Sequence, residues 1–144
     1  MLKRTFTYVD FDGNEVSDDY YFNMNRAERL ELQLSAYGGL DKMMRRLTEE
    51  KNTEEIVKMF KKIILMTVGE KSYDGKRFVK NDEIRNNFYQ SEAYSQLFCE
   101  LVTEPEKAEE FLMAVVEGYA EQKAKSAEEE AAKEAGAQAL APVT

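Results

Sequence analysis

The residues able to do chemistry in this sequence are few and scattered. Adjacent carboxylates stand at Asp18-Asp19, Glu49-Glu50 and Glu54-Glu55, and paired acids can share general acid and base work. That work needs surroundings that perturb their pKa values. With no histidine and no glycine-rich cradle, nothing nearby is expected to do so. Adjacent acids on a polar surface are simply solvated. A carboxylate-only hydrolase would need a deep pocket with two convergent acids, and the sequence places no such pair.

Cys99 lies between Phe98 and Glu100 on a predicted amphipathic helix. A nucleophilic thiolate is normally activated by a neighbouring base or a helix N-terminus. Cys99 has neither and reads as a semi-buried structural residue. A single cysteine also excludes an internal disulfide, and clustered thiolate or imidazole ligands for zinc are missing. Asp10-Phe11-Asp12-Gly13-Asn14-Glu15 looks faintly like a calcium loop. Such a loop needs Gly sixth and Glu twelfth, whereas this chain has Glu15 and Tyr21 there. Strand formers flank it, so a hairpin turn is the reading. The segment from Gly69 to Gly75 contains Gly, Lys and Ser without the order of a phosphate loop, and no strand is predicted before it. No catalytic, cofactor-binding or metal-binding residue is expected, and the chain does not read as an enzyme.

The elements that must carry any site are mainly helical. Residues 3–22 predict a β-hairpin, with β-branched and aromatic residues on both sides of Asp12-Gly13-Asn14. A lone hairpin is barely stable, so one face must rest on helices. Asn25 with Glu28 forms a capping box before Leu30, Leu32 and Leu34, and Gly38-Gly39 ends that helix. A short helix is expected over 41–47, with Met43, Met44 and Leu47. Thr53 caps the strongest core helix, in which Ile56, Val57, Phe60, Ile63, Ile64 and Val68 recur at helical spacing and Gly69 is the stop. Asp74-Gly75 marks a tight turn, with Tyr73 expected to face Phe78 across a small hairpin. Three further helices start at Asn81 or Asp82, at Ser91 and at Pro105. The fold class is α+β: a mainly α-helical domain with an N-terminal β-hairpin over 1–119, followed by an acidic, Ala- and Glu-rich flexible tail over 120–144.

Charge narrows the partner. Among 144 residues, 28 Asp plus Glu outweigh 20 Lys plus Arg, a formal net charge of -8. Such a surface repels phosphate backbones and anionic headgroups, so neither nucleic acid nor membrane is an expected partner. Ile63-Ile64-Leu65-Met66, the most apolar run, is far too short to span a bilayer, and the opening residues lack an apolar signal core. A cytoplasmic protein that binds other proteins is the expectation. The methionines at 43, 44, 59, 66 and 113 fall mostly at core-like positions. The aromatics of the later helices are more numerous than such short helices need, and Phe88, Tyr89, Tyr94 and Phe98 are the candidate protein-binding residues.

The order of these features resembles the tail assembly chaperones of long-tailed bacteriophages, especially those of Gram-positive hosts. The likeness is carried by Lys3-Arg4-Thr5-Phe6-Thr7-Tyr8-Val9-Asp10-Phe11-Asp12-Gly13 and by Tyr21-Phe22-Asn23-Met24-Asn25-Arg26-Ala27-Glu28. It continues in Gly69-Glu70-Lys71-Ser72-Tyr73-Asp74-Gly75-Lys76-Arg77-Phe78 with Lys80-Asn81. It closes with Ser91-Glu92-Ala93-Tyr94-Ser95-Gln96-Leu97-Phe98-Cys99-Glu100-Leu101, then Pro105 and Ala108-Glu109-Glu110-Phe111. The resemblance spans nearly all of residues 1–118. It implies a non-enzymatic chaperone that coats the tape measure protein, helps recruit major tail protein, and self-associates in multiple copies. It also implies residence in the host cytoplasm of a phage- or prophage-bearing cell, absence from the mature virion, and a longer frameshifted form diverging near the tail. The competing reading is a small acidic inhibitor or adaptor that binds a host protein.

Overall fold

A computed structural model describes residues 1–35 and 53–116, together with the single helical positions Lys42, Arg45, Glu128, Ala131, Ala132 and Ala135. The helix expected over 41–47, the Gly38-Gly39 stop and the tail over 120–144 therefore lie outside the described residues or touch them only at those positions. Within them the architecture is α+β, with one four-stranded antiparallel sheet and five helices.

Strand β1 (Leu2–Val9) pairs with β2 (Glu15–Phe22) along its whole length, from Leu2↔Phe22 to Val9↔Glu15. The turn is built by Asp10, whose Oδ1 accepts from the amides of Asp12 (3.0 Å) and Asn14 (2.8 Å). Gly13 supplies the positive φ of 86° that the chain needs there. Alternation then separates the faces. Leu2, Arg4, Phe6 and Tyr8 turn inward, while Lys3, Thr5, Thr7 and Val9 are exposed.

After β2 the chain is pinned on both sides. The Asn23 amide donates to Thr67 O (2.8 Å) and that of Met24 to Val115 O (3.0 Å). Helix α1 (Arg26–Leu34) starts with the expected capping box: Asn25 Oδ1 accepts from the Glu28 amide at 2.8 Å, and Glu28 Oε1 from the Asn25 amide at 3.3 Å. It ends at Leu34, ahead of Gly38-Gly39, with Ser35 as its C-cap. Of its three leucines only Leu32 is buried.

Helix α2 is described over Thr53–Thr67, and at its end the buried Thr67 hydroxyl donates to the carbonyls of Ile63 and Ile64. The chain passes directly into β3 (Val68–Lys71), which joins β2 at Tyr21↔Gly69 and Phe22↔Val68. Gly69 is thus a strand residue and not the helix stop expected of it. A Cβ there would sit 2.6 Å from both Phe78 Cε1 and Val79 O, so only glycine lets β4 (Phe78–Val79) lie this close. The second hairpin exists, but its register pairs Lys71, not Tyr73, with Phe78. Tyr73 belongs to the turn and is fully exposed, because Ser72 and Asp74 close that turn on each other.

Asn81 and Ser91 cap α3 (Asp82–Tyr89) and α4 (Glu92–Thr103) as expected, and Pro105 opens α5 (Pro105–Val115). The core lies between the inner face of the sheet and the helices. Phe22 and Phe88 form its centre with ring centroids 5.5 Å apart, and Phe22 also meets Phe111 at 5.5 Å. Ala108, Phe111, Leu112, Val115 and Val116 all enter this core, as their spacing predicts. Ion pairs hold the periphery: Glu100 joins Arg4 of β1 and Lys107 of α5 (3.1 Å to Lys107), and Lys80 reaches Glu28 at 2.6 Å. Three expectations about the core fail, the first at Val57 of α2, which is exposed. Met113 is exposed. Cys99 is exposed too, since the buried face of α4 is set by Ala93, Leu97 and Leu101, and two residues beyond Leu97 the helix has turned away from it.

Candidate protein-binding surface

The junction between α3 and α4 carries all four candidate aromatics. Because Ser91 starts a new helix immediately after Gln90, Phe88 and Tyr89 are brought beside the first turn of α4. Neighbouring residues on α3 diverge by about 100° around the helix, and this sends the two rings to opposite fates.

Phe88 goes inward. Its exposure is 0%, and its ring meets Tyr20 at 4.7 Å, Phe22 at 5.5 Å, Tyr94 at 5.9 Å and Phe6 at 6.3 Å. It is a core residue with no surface to offer. The excess of aromatics that suggested a binding role is absorbed, at this position, by packing helix against sheet.

Tyr89 goes outward, 43% exposed. Its ring lies 4.9 Å from Tyr94, edge to face, and Tyr94 is stacked on Phe98 at 5.7 Å. Tyr94 and Phe98 are one helical turn apart on α4 and half-buried, so the three rings form a continuous strip from buried to open. Lys61 of α2 closes one end. Its ammonium sits 4.6 Å above the Tyr89 ring and donates to the Tyr89 hydroxyl at 3.3 Å. Val57, one turn before Lys61, is also exposed. Burial pushes the Tyr94 hydroxyl up to about 12, with Tyr89 and Cys99 adding to the effect. The Tyr94 hydroxyl thus stays un-ionised at neutral pH.

Such a strip offers aromatic area and two phenolic hydroxyls to a partner, the combination enriched at protein interfaces. The sequence marked the three rings but missed Lys61, which reads only as one of several outward lysines. Also missed were Phe11 and Tyr73, each almost wholly exposed at the tip of its hairpin. Turn positions carry no apolar periodicity by which they could have been found.

A second feature is a cleft of about 410 Å³ where β2 and β3 separate beyond Tyr21↔Gly69. Asp19, Lys71, Ile84 and Asn87 are among its lining residues. The Thr5 hydroxyl, and then Lys3, hold the Asp19 carboxyl below the usual aspartate range. The neighbours of Asp18-Asp19 do therefore shift a pKa, in the direction that keeps Asp19 ionised. A general acid requires the opposite shift. Among the described residues no group of His, Cys, Asp and Glu is placed to hold a metal ion, and no helix is long and apolar enough to cross a membrane.

No curated protein and no solved structure gives a significant match to the chain. A family model described as phage tail assembly chaperone matches residues 1–142, almost the whole of it, and the chain belongs to that family.

Proposed function

We propose that this chaperone binds the tape measure protein, keeps that long apolar client soluble, and helps recruit major tail protein around it. The protein acts without catalysis, in the cytoplasm of the infected host, and is left out of the mature virion. The observation that carries the reading is the strip Tyr89–Tyr94–Phe98 with Lys61, an aromatic surface on a chain of net charge -8. An apolar helical client needs aromatic contacts to hold it and like charge to keep the complex dispersed. The Ala- and Glu-rich segment over 120–144 adds to that charge, and several copies along one client would turn weak contacts into avidity.

Co-expression with the tape measure protein of the same genome tests this. The expected result is a soluble complex with several copies of the chaperone per client, the client being insoluble alone. If the tape measure stays insoluble and no complex is recovered, the reading fails and a host protein becomes the partner to seek.

A further inference from the structure

Strands β2 and β3 separate after two residue pairs. They are joined at Phe22↔Val68 and Tyr21↔Gly69, and beyond Gly69 the pairing of β3 passes to β4, Glu70 with Val79 and Lys71 with Phe78. The ladder bonds show which backbone groups the split leaves facing it. The Asp10 amide bonds to Asn14 O inside the first hairpin, and the Ser72 amide to Arg77 O inside the second. Bonded pairs recur at every second residue of an antiparallel ladder, so even-numbered residues serve both hairpins. The odd-numbered residues Ser17 and Asp19 of β2 and Lys71 of β3 therefore turn their amides and carbonyls into the split. No described strand pairs with them there.

The split is also roomy and floored. It holds the cleft of about 410 Å³, lined on its helical side by Ile84, Asn87 and Phe88 of α3. A second cavity of about 450 Å³ shares Glu70, Lys71, Ile84 and Asn87 with it and extends the space toward Tyr73 and Arg77. Both volumes are in the range of ligand-sized pockets. Alternation decides what fits. A strand laid along β2 sends its side chains by turns toward α3 and toward solvent. Toward α3 they meet the half-buried Tyr20 and Ile84. Toward solvent the charges of β2 are both negative, Glu15 and Asp19, while Lys71 stands across the split on β3.

We infer that the split takes an extended segment of a different protein as an added antiparallel strand on β2, with basic side chains beside Glu15 and Asp19 and apolar ones over Ile84. A second copy of this chain is a poor occupant. Its net charge is -8, and the outer edge of its basic strand β1 is engaged, Thr7 O by Gln96 Nε2 at 3.0 Å and Arg4 by Glu100. The surface is distinct from the aromatic strip of the proposed function. The strip offers side chains to a helix, whereas the split offers backbone to a strand, so either can fail without the other.

The probe is a short capped peptide alternating Val and Lys, with a Val and Glu peptide of equal length as its control. Each is titrated into the isotope-labelled full chain and followed by the amide resonances. The Lys peptide should shift the amides of Ser17, Asp19 and Lys71 and slow their exchange with solvent. The Glu peptide should bind about tenfold more weakly, and the double variant Glu15→Lys with Asp19→Lys should invert that order. Equal binding of the two peptides, no shift at millimolar peptide, or shifts confined to Tyr89, Tyr94 and Phe98 overturns the inference. Protection of Ser17 and Asp19 in the free protein that grows with its concentration overturns it equally, since a second copy then holds the edge. Should the double variant fail to fold, Ser17→Pro replaces it. Proline there removes an outward donor and spares the ladder to β1, so a folded Ser17→Pro chain should lose the Lys peptide, and undiminished binding overturns the inference.

Discussion

Glu28 and Lys80 stand 52 positions apart in sequence and 2.6 Å apart in the fold, and Glu28 divides its two oxygens between two tasks. Oε1 accepts from the Asn25 amide in the capping box of α1, while Oε2 holds the Lys80 ammonium just after β4. Both side chains are largely shielded, Lys80 the more so. Glu28→Gln keeps an acceptor for the cap but removes the ion pair, whereas Glu28→Ala removes both. Urea unfolding should show a loss of about 1 kcal/mol for the first and about 2 kcal/mol for the second. Equal losses would mean that the Glu28 acceptor in the cap contributes nothing beyond the ion pair.

Gly69→Ala should destabilise the fold by about 1–3 kcal/mol, the usual range for overpacking. The new methyl meets Phe78 Cε1 and the Val79 carbonyl, each 2.6 Å away. Phe78 could swing aside, but the carbonyl belongs to the β3–β4 ladder. The double variant with Phe78→Ala should therefore recover only part of the loss in urea unfolding.

The aromatics separate by role. Phe88→Ala should cost about 3–5 kcal/mol, since it empties the centre of the core. Tyr89→Ala and Phe98→Ala should cost much less, because both rings are partly solvated already. In a pull-down with the tape measure protein the order should invert, with the Tyr89 and Phe98 variants folded but poorly retained. Retention equal to that of the unmodified protein would remove the strip from the client surface.

These fates explain what the sequence made legible. The caps at Asn25, Asn81 and Ser91 and the turn at Gly13 are local, decided by a side chain and its own backbone within a few residues, and all were readable. The core face of α5 was readable because five apolar residues repeat at helical spacing. Gly69 was misread because its reason lies nine residues away, in the ring of Phe78. Phe88 was misread for the same kind of reason. Whether a ring on a short helix faces inward depends on the sheet packed against it, and Tyr20 and Phe22 are far off in sequence. Three of the four candidate aromatics do share one strip, but nothing in their spacing could reveal which one the core would take.

Alkaline titration should find Tyr8 and Tyr94 ionising late. The Asp18 carboxylate, hydrogen-bonded to the Tyr8 hydroxyl, pushes that phenol from 10.0 up to about 12, and burial does the same to Tyr94. A folded-state value above the unfolded one means that the native state holds its protons longer. The associated stability is fully present below about pH 10 and is lost as pH rises toward 12. Phenolate absorbance should show late-ionising contributions from Tyr8 and Tyr94 while the fold persists. Tyr8→Phe and Tyr94→Phe should each remove one of them.

Acid should expose the other end of the molecule. Burial works against the charged form of Glu100, but hydrogen bonds from Lys107 and Arg4 outweigh it and hold the carboxyl below its ordinary 4.5. A depressed folded-state value contributes stability that is present above pH 4.5 and disappears as pH falls through the folded value. Glu100→Gln should therefore lower stability at pH 7, and the gap to the unmodified protein should narrow as the pH is lowered below 4.5. The same carboxylate ties β1 to α5 through Arg4 and Lys107, so hydrogen exchange at pH 7 should speed up in the first strand of the variant. A stability gap that stayed constant down to low pH would assign the loss to packing and not to the ion pairs.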